Sequence, residues 1–582
     1  MQDRPATESL VASVWDHPLV VARIATFLPP PFVSLQLRLA SKEVSEQLDQ
    51  YDTINVAKGM SGEDCMAALA VARSELTLSQ RQLIMGAAAV YGDADALERV
   101  AEAAGCAPDH ATMAVAARAG QLACCQRLVE MGCPEGGGLE AAASGGQREV
   151  CEWFLSRGAA PNAASVAAAV AAAASGGHVA LMDVLYASWP NPEWADKWRV
   201  LKAVAHGCDK DTLRRVCTKL LTLPAEAGSW EARQLSELRA PAAGSPTRDW
   251  QDKLTWLQGA SAAPPDSAAV CEAAARCPGA EAVARLQWLQ QRGYPVTRSH
   301  AHPDCAVIQV GAISAAAASG NMEAFTRLRE QGAPLPGRPV TVKLEGDANA
   351  AKSLRDVLPG LIEAGCPVYY FPTALHAAQR GDRKGLAWLV ERFSSQPPPG
   401  VAPAQYPWLL KQAASAGSLQ LLAWIKGWGA ELNPALWEAA VRSGCEAALD
   451  WLNDNGPRQP APQAHYADIT CCSRHLTDHL LCIPIHASDV STLRALMRLG
   501  FPITPRDSIL LADWAVEAKR WSDQHAQPSV QLLQLIMEQR GMLDGDRDEA
   551  RSFVARMGNS ATRKALFAWL RQVWGLPPAR RG

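Results

Sequence analysis

The residues best suited to chemistry are Cys471, Cys472, His475, His479 and Cys482, with His465 and His486 close by. Thiolates and imidazoles are the usual ligands of Zn²⁺. His475 and His479 stand four residues apart, and Cys472 and Cys482 each lie three residues from one of them, so on a helix Cys472, His475, His479 and Cys482 share a face. Ligands on one helix do not close a tetrahedron unless a second segment contributes, so packing is the plainer reading and no metal or cofactor is expected. His300-Ala301-His302-Pro303-Asp304-Cys305, a looser set in a loop, carries the same expectation. No G-x-x-x-x-G-K-[ST] phosphate loop, H-E-x-x-H zinc helix or G-x-S-x-G nucleophile elbow occurs. Gly136-Gly137-Gly138 follows no strand pattern and reads as a turn. With no catalytic set assembled, a non-enzymatic role is expected.

What does recur is a frame built on glycine. Gly146 is preceded by Leu139, Ala142 and Ala143 and followed by Val150, Trp153, Phe154 and Gly158. The same offsets surround Gly120 (Met113, Ala116, Ala117, Leu128, Gly132) and Gly320 (Ile313, Ala316, Ala317, Leu328, Gly332). They return at Gly417 (Leu410, Ala413, Ala414, Trp424, Ile425, Gly429) and Gly444 (Trp437, Ala440, Trp451, Leu452, Gly456). The apolar residue seven before the glycine and the residues four and three before it, mostly alanines, share one face of a thin helix, glycine permits a tight turn, and the later apolar positions stripe a second helix closed by a second glycine. Each unit is a helical hairpin with one apolar side, stable only when stacked. Gly92, Gly177 and Gly381 are further clear anchors, and Gly207, Gly279, Ser353 and Ser488 are degraded ones. The fold class expected is all-α.

On these residues the chain resembles the ankyrin repeat, whose pattern has paired alanines before a glycine, two leucines after it and a closing glycine. Tryptophan at the first leucine position (Trp153, Trp388, Trp424, Trp451) resembles the style of green-algal ankyrin proteins. The T-P-L-H opening is nearly absent; Thr373-Ala374-Leu375-His376 is its nearest trace, one residue out of register. Anchors 26, 31 and 27 residues apart fall short of the ankyrin period of about 33, so the fingers between hairpins are expected to be short. The resemblance implies an ankyrin-type helical-hairpin solenoid that binds an unknown protein on its concave face. Glu135, Tyr294 and Phe501, after closing glycines, are the candidate finger contacts, with packing against the adjacent finger as their other reading. Algal chains of this style also resemble a sphingomyelin-phosphodiesterase-related group, an alternative for which no ligand set is evident.

Residues 15–56 leave the frame. Leu19, Val20, Ile24, Phe27 and Leu28 precede a triple proline, and Leu37-Arg38-Leu39-Ala40-Ser41-Lys42 follows. This resembles the F-box, lacking the tryptophan that often follows the lysine. The resemblance implies a small helical module that docks the adaptor of a cullin–RING ubiquitin ligase through an apolar face formed or supported by Leu19, Ile24 and Leu28. Without the resemblance, the segment reads as a cap over the first repeat.

The organisation expected over the 582 residues is a module at 1–58, repeats at 59–222, an insertion or linker at 223–267 with one helix near Trp250–Leu257, repeats with loop insertions at 268–456, and degenerate repeats with a helical cap at 457–582. Residues 333–348 read as a short strand pair or a mobile loop, and 394–405 as a proline-rich extended stretch. Fifty-six basic against fifty-nine acidic residues leave a net charge of −3, which argues against nucleic acid or an anionic membrane as the main partner. Sixteen scattered cysteines and no visible signal peptide predict reduced thiols in the cytoplasm or nucleus. The uncharged run 158–182 is broken by Pro161 and Gly176-Gly177, so no membrane span is expected.

Overall fold

The computed structural model describes residues 59–157, 163–189, 193–221, 230–261, 268–294, 311–344, 352–394, 396–456, 480, 483–484, 487–501, 530–539, 551–552, 554–555 and 560–574. Among these the secondary structure is helical, relieved only by single bridges at Cys106–Asp489 and Val340–Val368. The N-terminal module, including Leu19, Ile24 and Leu28, lies outside the described residues.

The hairpin at Gly320 shows how the frame folds. Ala312–Ala318 forms the first helix and Met322–Glu330 the second. Gly320 turns left-handed at φ +68°, which lets Asn321 N–H reach back to the Ala316 carbonyl at 2.9 Å. That bond closes the helix end by the pattern that left-handed glycine permits. Ala316, Ala317 and Leu328 are fully buried. Gly332 repeats the device at the end of the second helix, with Ala333 N–H on the Leu328 carbonyl. All eight clear anchors have positive φ. So does Ser488, at φ +49°, the anchor that had lost its glycine. Finger length varies: between the closing Gly105 and the helix His110–Arg118 stand only residues 106–109, whereas residues 393–405 separate Arg383–Arg392 from Tyr406–Ser415.

Three departures have physical reasons. Gly207 lies inside the helix Trp194–Gly207, where a Cβ would come within 2.1 Å of the Ala174 carbonyl, so its job is close approach and not a turn. Ser353 is extended and caps the helix Leu354–Glu363 with its hydroxyl. Tryptophan seven residues past the anchor is buried only at Trp424; Trp153, Trp388 and Trp451 are half-buried, and the next position, as at Leu389 and Leu452, holds the core. On that outer face an arginine one turn on covers the ring, Arg157 over Trp153 and Arg392 over Trp388.

The chain divides into two compact units. One spans residues 139–431. In it the first helices Ala163–Ser175, Trp194–Gly207, Arg239–Ala243, Ala268–Ala275 and Ala312–Ala318 pack in succession. The stretch read from sequence as an insertion therefore supplies a hairpin of its own, Arg239–Ala243 with Trp250–Ser261. Past Ala318, residues 340–344 run extended in place of a first helix. Val340, Val342 and Leu344 alternate inward, Lys343 N–H bonds the Ala318 carbonyl, and Val342 N–H bonds Thr373 Oγ1.

The other unit combines residues 1–138 with 432–582. Helices Leu78–Tyr91, Ala94–Ala104 and His110–Arg118 pack together from the first segment, and Glu446–Asn455 against Val490–Arg498 from the second. The two segments are joined by Ala447 N–H to the Ser74 carbonyl, Ser491 N–H to Gly105 and Ala107 N–H to Ser488.

No described helix is long and apolar enough to cross a membrane.

Candidate functional site

The Cys472/His475/His479/Cys482 group and the His300–Cys305 run lie outside the described residues. Among the described residues no three His, Cys, Asp or Glu side chains gather closely enough to hold a metal ion. One constellation does have the look of catalysis. Lys253 Nζ stands 2.7 Å from Ser245 Oγ, the arrangement of a serine nucleophile with a lysine base, and burial lowers the Lys253 pKa to about 8. Geometry removes that reading. Both side chains are fully buried. The ammonium also donates to the Ala205 and Cys208 carbonyls at 2.8 Å each, so its three protons have three acceptors. Ser245 donates to the His206 carbonyl. The group is a fastener.

It belongs to a ladder that runs from hairpin to hairpin. At several anchors the residue after the glycine is polar and reaches back to the previous turn. Gln121 Nε2 donates to the Val90 carbonyl at 3.0 Å, the His178 ring meets Ser144 at 3.2 Å, and Asn321 Nδ2 donates to Cys277 at 2.8 Å. Where the previous turn offers N–H groups instead, the residue is an acid: Asp382 accepts from Leu354 N–H and Ser353 Oγ, each at 2.7 Å. Arg285 serves the same purpose with a cation, donating to the Ala243 and Ser245 carbonyls. Arg81 donates to the Gly444 and Ala104 carbonyls and binds both oxygens of Asp489 at 2.7 and 3.0 Å.

With the polar interior so occupied, the described surface is the place to look, and aromatic residues concentrate in one part of it. Tyr369 begins the helix Tyr370–Arg380 and is 47% exposed; Trp408, in the first turn of Tyr406–Ser415, is 55% exposed. The same elements carry three groups of touching rings. Phe371 meets Trp408 at 6.3 Å, Tyr370 meets Phe393 at 4.8 Å, Tyr406 meets Trp428 at 5.9 Å and Trp428 meets Trp424 at 4.7 Å. Trp424 is held by its indole N–H on the Phe393 carbonyl at 3.0 Å. Trp408 therefore rests on Phe371 at the entry to its first helix, and Tyr369 stands exposed at the entry to the preceding one. The proline-rich stretch, with Pro399 and Pro403–Gln405 exposed, forms the finger between them.

Of the residues singled out from sequence, Glu135 is exposed after its closing glycine. Tyr294 is only 4% exposed, and Phe501 packs on Trp437 at 5.5 Å. The polar position after each anchor and the pair Tyr369/Trp408 were not singled out. The first had a signal in the alignment of frames: Asp93, Gln121, His178, Asn321, Asp382 and Ser418. The second had none beyond local aromatic density.

No protein-family model matches the sequence. No curated protein matches it either. The chain is similar to solved structures of a pentatricopeptide repeat protein, PPR10. For the maize protein the identity is 13%, covering 99% of this chain and 79% of that one, with a TM-score of 0.25. For PPR10 in complex with an 18-nt psaJ RNA element the identity is 13%, covering 99% and 95%, with a TM-score of 0.22. Likeness at this level does not identify a ligand for the present chain. It corrects one expectation: a repeat protein similar to this chain is solved in complex with RNA, so the exclusion of nucleic acid drawn from net charge does not hold.

Proposed function

We propose that the chain is a non-enzymatic, ankyrin-type scaffold that binds another protein through its first helices and fingers. The carrying observation is the pair of exposed aromatic residues Tyr369 and Trp408, the latter resting on Phe371, since tyrosine and tryptophan are among the residues that dominate protein–protein hot spots. Twelve buried free thiols among the described residues suit the cytoplasm or nucleus, the compartments this reading assigns. No observation favours the phosphodiesterase-related alternative.

The F-box-like segment supplies the second half of the reading, in which the scaffold presents its bound protein to a cullin–RING ubiquitin ligase. Its support is the Leu37–Lys42 match alone. Size-exclusion chromatography of the full chain with the purified adaptor tests it. Co-elution is expected, and it should be lost in an Ile24→Asp/Leu28→Asp variant that keeps its helical circular dichroism. A full chain that never co-elutes leaves a scaffold without a ligase link.

A further inference from the structure

The aromatic surface has a charge bias that narrows what it can hold. From Cys366 to Ala430 the basic residues are Arg380, Arg383, Lys384, Arg392, Lys411 and Lys426, and the acidic ones are only Asp382 and Glu391, in a chain of net charge −3. Asp382 is spent inside, on Ser353 and Leu354. Lys411 lies one turn beyond Trp408 on the same helix and is exposed, so ring and ammonium point to one side. Among the described residues Lys411 forms no ion pair or hydrogen bond, and neither does the ammonium of the exposed Lys343, which leaves the extended segment running beside Thr373. Arg392 lies over the Phe393 and Trp388 rings with its own face exposed.

An exposed indole beside the unpaired ammonium of Lys411, in a stretch where basic residues outnumber acidic ones, is complementary to an acidic chain carrying a flat or apolar side chain. We propose that the face of Tyr369, Trp408 and Lys411 binds an acidic, extended peptide segment of the partner protein. An apolar side chain of that segment lies against Trp408, and a carboxylate lies on Lys411. This rests on the scaffold reading above and specifies its site. Trp408 supplies contact area at little entropic cost, because Phe371 already holds its ring. The lysines supply selectivity and attraction that salt weakens.

The test pans a random peptide library displayed on phage against the full chain, then measures a labelled selected peptide by fluorescence anisotropy. Selected sequences should be rich in Asp and Glu beside an aromatic or large apolar residue. Trp408→Ala should weaken binding roughly tenfold or more, with circular dichroism unchanged because the ring is exposed. Lys411→Glu should weaken acidic peptides comparably and Lys411→Arg should not. Selected peptides without acidic excess, or indifferent to both substitutions, would overturn this site while leaving the scaffold reading in place. Competition by a single-stranded oligouridylate that Trp408→Ala abolishes would overturn it in favour of nucleic acid. A library that yields no binder, from a chain that also fails to hold the adaptor, would remove the scaffold reading as well.

Discussion

Two joints between hairpins show the same task solved with opposite chemistry. At Asn321 a neutral amide reaches back to the Cys277 carbonyl, and the neighbouring Gly320 lets the chain turn under it. At Asp489 the turn residue before it is a serine forced left-handed, and the joint is filled by a guanidinium. Arg81 comes from a segment 408 residues away in sequence and is fully buried, as is its carboxylate partner. A glycine turn specifies a local neighbour that the chain would find anyway. A buried ion pair adds little net stability over an apolar substitute, but it strongly disfavours any arrangement in which either charge is buried alone. The difference teaches that glycine anchors serve sequential stacking, while cations serve the joints where the frame is degraded or the segments are remote.

The largest expected effect separates these roles. Asp489→Ala leaves the Arg81 guanidinium buried with only carbonyls and should cost about 3–5 kcal/mol in a denaturant melt. Arg81→Met/Asp489→Leu should recover most of that loss. If the double variant is no better than the single ones, the pair contributes attraction and not register.

A comparable loss is expected where a joint is fastened by an indole. Trp424→Ala removes a buried ring and its bond to the Phe393 carbonyl, and should also cost about 3–5 kcal/mol. Gln420→Ala, on the same helix, should cost little. Equal melts would break the frame around Gly417.

At a glycine joint the effect should be smaller. Gly146 sits at φ +73°, and a Cβ there would lie 2.6 Å from the His178 ring. Gly146→Ala should cost about 2 kcal/mol, part from the left-handed backbone and part from the ring. His178→Ala in the same chain should relieve only the second part, so the two losses should sum to more than the double variant shows.

The glycine joints were legible in sequence because their requirement is local. A left-handed turn needs glycine, and close helices need alanine, so Gly120 and Ala116 betray each other at fixed spacing. Of the hairpin of Arg239–Ala243 and Trp250–Ser261 only the second helix was legible, near Trp250–Leu257; the pairing was hidden because Gly244, at φ −87°, makes no such turn and the joint is held by Lys253 and Arg285, which look like any surface cation in a sequence. Pairing of Arg81 with Asp489 was hidden for a different reason: it spans the chain, and no periodicity reports it. Of the surface, the sequence showed proline and aromatic density near 394–408 but could not show that Tyr369 and Trp408 face outward while Trp424, of the same type, faces in.

The smallest effect, and the sharpest on chemistry, concerns Lys253. Lys253→Met keeps the length but deprives the Ala205 and Cys208 carbonyls of a donor, at a cost of about 1–2 kcal/mol near neutral pH. The pH dependence is the telling part. Burial lowers the folded pKa of Lys253 to about 8, below its ordinary value of 10.5. Below about pH 8 both folded and unfolded chains hold the proton, and the folded one bears the desolvation. Between the two values only the unfolded chain holds it, so this group stabilises the fold increasingly as pH rises, fully above 10.5. Buried thiols act in the opposite sense: burial raises Cys65, Cys106 and Cys217 from 9.0 to about 12, so their contribution is complete below 9 and is lost as pH climbs toward 12. Each such thiol removes up to about 1.4 kcal/mol per pH unit, and overall stability should therefore fall steeply above about pH 9. Cys65, Cys106 and Cys217 are common to both proteins and owe nothing to Lys253, so they cancel in the comparison. The stability gap between wild type and Lys253→Met should widen from about pH 7 to about pH 9.5, by at most about 1.4 kcal/mol per unit above pH 8. Denaturant midpoints at the two pH values measure it, and a gap that stays constant would mean that the ammonium bears no burial penalty and that cation joints are no costlier to hold than glycine ones.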